Sequence, residues 1–352
     1  MPGPDPDTEP SSHSVPSAQP ALFERCFHPA PEQLAMLIDA RRELLEGLGQ
    51  HPEWAKREVE LSDLLRCLLN SSDLQLLRLD QHTPVPVLDQ IVKYETVHRV
   101  RDSRDLERRM AEDRRCFAFF HPALPGEPLI FTELALTRDM SSNAQALLDP
   151  ESPTLDPSTC NCAMFYSINS CHEGLRGVPL GNALIARVTS QLTRELPRLD
   201  TFATLSPVPG FRSWLATLAR PHAGYVAQSA AAATLACLER SDWYASRDTS
   251  AALERQLVPL CAYYLLRVKR GANPADPVAR FHLRNGARLE RLNWLSDIST
   301  AGLQGSAGLM VNYVYRCRLP RCDYDVSTSA RSVPSSHEVE LLAEQAASMF
   351  CD

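Results

Sequence analysis

Between residues 31 and 80, apolar positions recur every three or four residues, in PEQLAMLIDARRELLEGL and again in REVELSDLLRCLLNSSDLQLLRL. That period predicts a helical hairpin or small bundle ending near residue 80. Two short helices are expected next, TPVPVLDQIVKYE and SRDLERRMAEDRR, each opened by a Thr/Pro or Ser signal. The pattern then shortens. CFAFFHP and PLIFTELALT are aromatic and aliphatic runs joined across the Pro-Gly of ALPGE, which reads as a β-hairpin. After a loop, AMFYSINS reads as a strand, and RGVPLGNALIARV as a turn opening a helix that Pro197 stops near Leu196. TFATLSP is a further strand and FRSWLATLA a short helix. Residues 228–270 read as helical throughout, followed by a helix over VARFHLRNGARLERLNWL, a strand at GLMVNYVYRC and a last helix at SHEVELLAEQAASMF. Residues 1–22 are rich in Pro and Ser with few apolar positions, which predicts a disordered tail.

With 352 residues, 44% of them hydrophobic and 22% charged, the chain has the composition of a globular protein with a sizeable core. A net charge of −7 argues against a nucleic-acid binder, while leaving room for a local basic pocket facing an anionic ligand. No apolar run approaches the roughly 18 residues that span a bilayer. The stretch MPGPDPDTEPSSHSVPSAQP lacks Arg and Lys, so it resembles neither a secretory signal nor a mitochondrial presequence, and ASMFCD is not the peroxisomal tripeptide. A cytoplasmic location is therefore the default expectation.

The eleven cysteines are scattered. Neither the C-x-C of Cys160 and Cys162 nor the pair Cys317 and Cys322 has a second pair or histidines at zinc-site spacing, so reduced, mostly buried thiols and no metal are expected. RDSRDLERRMAEDRR reads as a solvated helix face with i,i+4 ion pairs. His121 and His172 have no partner pattern and read as surface or loop residues.

Chemistry concentrates at RGVPLGNALIARV. A strand, a glycine-bearing turn and a helix point several backbone N–H groups and the positive end of a helix dipole at one spot, where a phosphate is favoured. Gly177 and Gly181 permit close backbone approach, and Arg176 can add charge-assisted hydrogen bonds. By itself the same turn serves equally well as a ligand-free connection between strand and helix. The spacing R-G-x-x-L-G-x-x-L-I resembles the pyrophosphate loop of acyl-CoA N-acyltransferase-like (GNAT-like) folds, with Pro179 at a position often occupied by glycine there. Proline removes one donor N–H.

FYSIN, GLRGVPLG, LSPVPGF, NPADPVARFHLRNGA, RLNWLSDIS and GSAGLMVNYVY occur in the order found in the malonyl-CoA decarboxylase family, which the upstream PGEPLIFTELALTRDMSSNAQALL also resembles. The resemblance covers about residues 80–318, with weaker helical similarity over 31–80. It implies an α+β protein: a helical region over 23–80 that mediates homo-oligomer contacts and is shorter than in many members, then a GNAT-like mixed-sheet domain with extra helices over 81–352. It also implies conversion of malonyl-CoA to acetyl-CoA and CO2 without metal or organic cofactor. Carried over position by position, the catalytic serine falls on Ser206 as proton acceptor and the catalytic histidine on His282 as proton donor. The substrate-binding loop falls on Arg176, Gly177, Val178, Pro179, Leu180, Gly181 and Asn182. An acidic residue that the family tends to place in this loop is Pro179 here. Ser167, Asn312 and Tyr315 lie in matched motifs as candidate neighbours of the reacting pair, although strand polar groups and a buried tyrosine explain them as well.

Decarboxylation leaves an enolate whose oxygen needs a donor and whose carbon needs a proton. A hydroxyl such as that of Ser206 suits the first task, and a histidine near its ordinary pKa of about 6.5 suits the second. Two other readings stand beside this one: an acyl-CoA-dependent acyltransferase using the same loop, and a malonyl-CoA-binding protein without catalysis.

Overall fold

CFAFF and IFTELAL lack polar alternation because both faces of their strands are covered. The computed structural model describes residues 31–69, 73–220, 225–315 and 333–348. The expected tail at 1–22, and Cys317 and Cys322, lie outside them.

Two helices open the described chain, α1 (Pro31–Gly47) and α2 (Ala55–Leu68). They are followed by β1 (Gln75–Leu79), α3 (Val85–Tyr94), α4 (Ser103–Arg109), β2 (Arg114–Phe120) and β3 (Ile130–Thr137). Next come α5 (Ala144–Leu148), β4 (Cys162–Ser170), α6 (Leu180–Glu195), β5 (Thr201–Thr204) and β6 (Ser206–Pro207). Three helices, α7 (Phe211–Leu218), α8 (Tyr225–Leu238) and α9 (Arg247–Arg267), precede the small hairpin of β7 (Lys269–Arg270) and β8 (Asn273–Pro274). The chain continues through α10 (Pro277–Arg284), β9 (Ala287–Asn293), α11 (Thr300–Ser306), β10 (Met310–Tyr315) and α12 (His337–Ala347).

The main sheet runs β1-β2-β3-β4-β5-β10-β6, with β9 also paired to β10. Every pair is antiparallel except β4 with β5, which α6 connects as a crossover. A mixed sheet flanked by helices makes this an α+β fold, as the resemblance implies. Leu184, Ile185, Val188 and Leu192 put one face of α6 into the core with Phe117, Phe165 and Phe202 of the strands. Val339, Ala343 and Ala346 bury one face of α12 against α9.

Four expectations are corrected. QLLRL is an edge strand: the helical pattern stops at Leu68, and the strand pairs residue for residue with β2. The helix beginning at Pro277 ends at Arg284. After a turn at Asn285–Gly286 the chain becomes β9, where Ala287, Leu289 and Asn293 are buried and the intervening positions are more open. Residues 228–270 form two helices broken before Ser246, whose side chain accepts from Thr249 N and starts α9.

The fourth correction is the charge cluster, which is solvated only in part: Arg101, Arg104, Glu107 and Glu112 are exposed, and the expected i,i+4 pairs form from Arg101 and Arg109 to Asp105. Asp105, Arg108, Arg109, Asp113, Arg114 and Arg115 are all buried. Arg109 bridges Asp105 at 3.0 Å and Glu133 of β3 at 2.7 Å, while Arg108 and Arg114 share Asp113. Charges sunk to this depth persist only where each meets a hydrogen-bonded partner. His121 is likewise buried at the end of β2, with Nδ1 accepting from Ala123 N; His172 is a half-buried loop residue beside Glu173. Cys116, Cys160, Cys162, Cys171 and Cys261 are free and buried, and Cys67 is exposed. Among the described residues no three His, Cys, Asp or Glu side chains converge as metal ligands, and no helix is long and apolar enough to cross a membrane.

Candidate functional site

Strands β4 and β5 run side by side only as far as Phe165 and Thr204. Beyond that pair β4 continues against β3, while the other chain breaks step at Leu205 and resumes as β6 against β10, with Ser206 opposite Val311. Asn312 holds this irregularity together. Its Nδ2 donates to Thr204 O at 2.8 Å and to Ser141 O at 3.0 Å, and its Oδ1 accepts from Asn293 Nδ2 and Arg291 Nε. Asn312 thus acts on the strand that carries Ser206 and does not face the opening itself. The parted strands enclose a cavity of about 210 Å³, walled by Phe165, Ile168, Val97, Val278 and Phe281 and carrying Ser206 and His282 in its lining.

Ser206 and His282 stand 76 residues apart in the chain, yet Ser206 Oγ lies 2.8 Å from His282 Nε2. Asp276 caps α10 through the N–H groups of Val278 and Ala279, so His282 comes from the last turn of a well-started helix. His282 Nδ1 lies 2.8 Å from the Tyr315 hydroxyl, and the imidazole stacks on Tyr313 with ring centroids 4.5 Å apart. Ser206 Oγ also donates to Thr204 Oγ1 at 2.9 Å. The result is a hydrogen-bonded series Thr204–Ser206–His282–Tyr315.

A neutral imidazole carries one N–H, so two tautomers serve this series. With the proton on Nε2, Tyr315 donates to Nδ1 and His282 donates to Ser206, which strengthens the serine O–H as a donor. With the proton on Nδ1, Ser206 donates to Nε2 instead. Burial pushes the His282 pKa down to about 3, which corrects the expectation of a group titrating near 6.5. Between about pH 6.5 and 3 the unfolded chain takes up a proton at this residue and the folded chain does not, so the fold loses stability as pH falls through that window. Wild-type Tm is therefore expected to fall more steeply between pH 7 and 4 than that of His282→Gln, as read by calorimetric melting.

Of the other expected neighbours, Tyr315 touches His282. Ser167 lines the cavity, but its hydroxyl donates to Glu95 Oε2 and accepts from Asn169 Nδ2 at 2.6 Å. Glu95 also accepts from the N–H groups of Val97 and His98, so it fixes the segment that forms one cavity wall. Thr204, Tyr313 and Phe281 were not singled out from the sequence. A signal for the first two existed: Thr204 is two residues before Ser206 and Tyr313 two before Tyr315, the spacing that puts strand side chains on one face.

The loop at 176–182 adjoins this cavity. Gly177 has φ +83°, a left-handed conformation that glycine adopts without strain, and Pro179 is the residue before α6. Arg176, Gly177, Pro179 and Asn182 are exposed, whereas Val178, Leu180 and Gly181 are buried. Val178 and Leu180 can therefore offer a ligand only backbone. The first-turn N–H groups of Gly181 and Asn182 have no intrahelical acceptor. Among the described residues Arg176 is tied only to Glu173, at 3.9 Å in an exposed pair that solvent weakens. A Cβ on Gly181 would sit 2.6 Å from the Phe281 ring, so the start of α6 packs directly on the residue that walls the cavity and precedes His282. The start of α6 and the serine–histidine pair thus share one phenylalanine.

Residues 72–347 match the family model described as malonyl-CoA decarboxylase C-terminal domain. The chain is 39% identical over 306 residues to the mitochondrial malonyl-CoA decarboxylase of Anser anser anser, covering 80% of this chain and 61% of that protein. It is 36% identical over 303 residues to that of Rattus norvegicus, covering 79% and 62%. It therefore spans somewhat over three-fifths of these curated relatives. The crystal structure of malonyl-CoA decarboxylase from Agrobacterium vitis superimposes with a TM-score of 0.81 at 39% identity, covering 89% of this chain and 77% of that one. The structure from Rhodopseudomonas palustris gives 0.72 at 42% identity, covering 80% and 65%. The family model takes in the parted strands, the loop before α6 and both members of the serine–histidine pair, and on that match the chain belongs to the malonyl-CoA decarboxylase family.

Proposed function

We propose that this chain decarboxylates malonyl-CoA to acetyl-CoA and CO2, with Ser206 and His282 at the reacting group and Arg176–Asn182 on the diphosphate of coenzyme A. The observation that carries the reading is the 2.8 Å contact between Ser206 and His282 in the wall of an apolar cavity beside the start of α6.

The chemistry follows from the surroundings. A malonyl carboxylate entering apolar walls loses water, whereas CO2 and a delocalised thioester enolate suffer less from that loss. The Ser206 O–H, reinforced by His282, is the donor for the oxygen on which negative charge gathers. The C2–carboxyl bond breaks, its electron pair passes into the enolate, and one proton must return to C2. Among the described residues nothing anionic contacts the imidazole, and burial keeps it neutral. An arriving carboxylate reverses that balance, because an opposite charge favours the protonated ring. The proton taken up with the substrate is then the one delivered to C2, directly or through Ser206, and Tyr315 holds the ring in place throughout.

Incubation of the purified chain with malonyl-CoA is expected to give acetyl-CoA and CO2 in equal amounts. Release of free coenzyme A would instead mark acyl transfer, and intact ligand would mark a binding protein. Arg176→Ala is expected to raise KM about tenfold with kcat nearly unchanged, because the diphosphate is remote from the breaking bond. An unchanged KM would remove Arg176 from the site.

A further inference from the structure

Helix α1 carries a buried stripe of Leu34, Ile38, Arg41 and Leu44, spaced as one helical face, and the arginine is only 3% exposed. A cation in an apolar stripe needs acceptors, and Arg41 finds them in two places. Its NH1 donates to the carbonyl of Gly174 at 2.5 Å, 133 residues away, and its Nε and NH2 donate to Glu58 Oε1 of α2 at 3.1 and 2.6 Å. Gly174 belongs to the turn that leads into Arg176–Asn182, and it touches α1 so closely that an added Cβ would overlap the Ile38 carbonyl oxygen. The same guanidinium passes beneath Gly177, with NH2 4.0 Å from where a Cβ would stand. Leu34 and Ile38 share the core cluster with Leu175, Val178 and Leu180 of that turn.

We infer that Arg41 is a positioning residue for the diphosphate-binding turn, and that the α1–α2 hairpin sets the aim of the turn's N–H groups. The inference rests on the proposed reading of Arg176–Asn182. An arginine suits the position because its fork reaches a carbonyl on one side and a carboxylate on the other, which a single ammonium does not. The catalytic pair lies elsewhere, on β6 and α10, so losing this brace weakens the hold on the nucleotide end and leaves the bond-breaking step largely intact.

The test uses the full chain, with two thioesters as probes: malonyl-CoA and malonyl-N-acetylcysteamine, which lacks the nucleotide diphosphate. Arg41→Met is expected to raise KM for malonyl-CoA at least about tenfold with kcat within about threefold of wild type. Its kcat/KM for the truncated thioester should stay within about twofold. Arg41→Lys, which keeps the charge but loses the fork, should fall between the two and serves if the methionine variant does not fold. Equal losses on both thioesters, or an unchanged KM for malonyl-CoA, would overturn the inference. Calorimetric binding of acetyl-CoA separates the two levels of the argument. A wild-type chain that binds acetyl-CoA without decarboxylating refutes the proposed activity, while a tenfold weaker Kd in Arg41→Met still supports the brace and an unchanged Kd refutes it.

Discussion

Ser206→Ala is expected to lower kcat for malonyl-CoA decarboxylation by at least about 100-fold, the scale on which losing one donor to a developing oxyanion acts. At 1.36 kcal/mol per tenfold, that corresponds to about 2.7 kcal/mol of transition-state stabilisation. The fold should tolerate the change. Ser206 is held in β6 by backbone pairing to Val311, and its hydroxyl leaves behind two groups, Thr204 Oγ1 and His282, that keep Tyr313 N and Tyr315 as partners. KM should move little, since the proposed contacts to the nucleotide end are made elsewhere. Steady-state kinetics beside a thermal melt check all three points, and a kcat within tenfold of wild type with an unchanged Tm would remove Ser206 from the reaction.

His282→Ala is expected to cost at least as much activity and, unlike the serine change, stability too. The imidazole fills space between Phe281 and Tyr313, and its loss leaves the Tyr315 hydroxyl without this partner in a buried setting. Burying a polar group with a lost partner costs about 1–3 kcal/mol, and an aromatic stack adds about 0.5–1.5 kcal/mol. His282→Gln keeps an amide near Ser206 and restores much of the Tm without a ring that can take up and return a proton, so its kcat should stay low. The double variant Ser206→Ala/His282→Ala should be scarcely slower than either single one, because the pair acts as a unit. Multiplicative losses would show two independent roles and contradict the shared series.

The parts of the fold legible in the chain were those carried by local pattern. Runs such as CFAFF and PLIFTELALT, with a Pro-Gly turn between them, can be little else than a buried hairpin. The three- and four-residue spacing of α1, α2, α6 and α12 likewise reports which face goes inward. Ala287 to Asn293 show where pattern misleads. LERLN fits a helix as well as a strand over so few residues, and the Asn285–Gly286 turn together with pairing to β10 decides the matter.

Ser206 and His282 became candidates through motif order alone. The sequence by itself determined the strand and helix propensities, the turn before α6 with its glycines, and the supply of a hydroxyl and an imidazole. Tertiary structure alone decided how deeply each charged or polar group is buried and what it meets there: that Arg109 faces Glu133 and not water, that His282 is neutral, and that Arg41 reaches a carbonyl 133 residues away. The physical reason is that desolvation depends on atoms brought from elsewhere in the chain, so an identical helix face is a solvated ion-pair surface or a buried network according to what packs upon it.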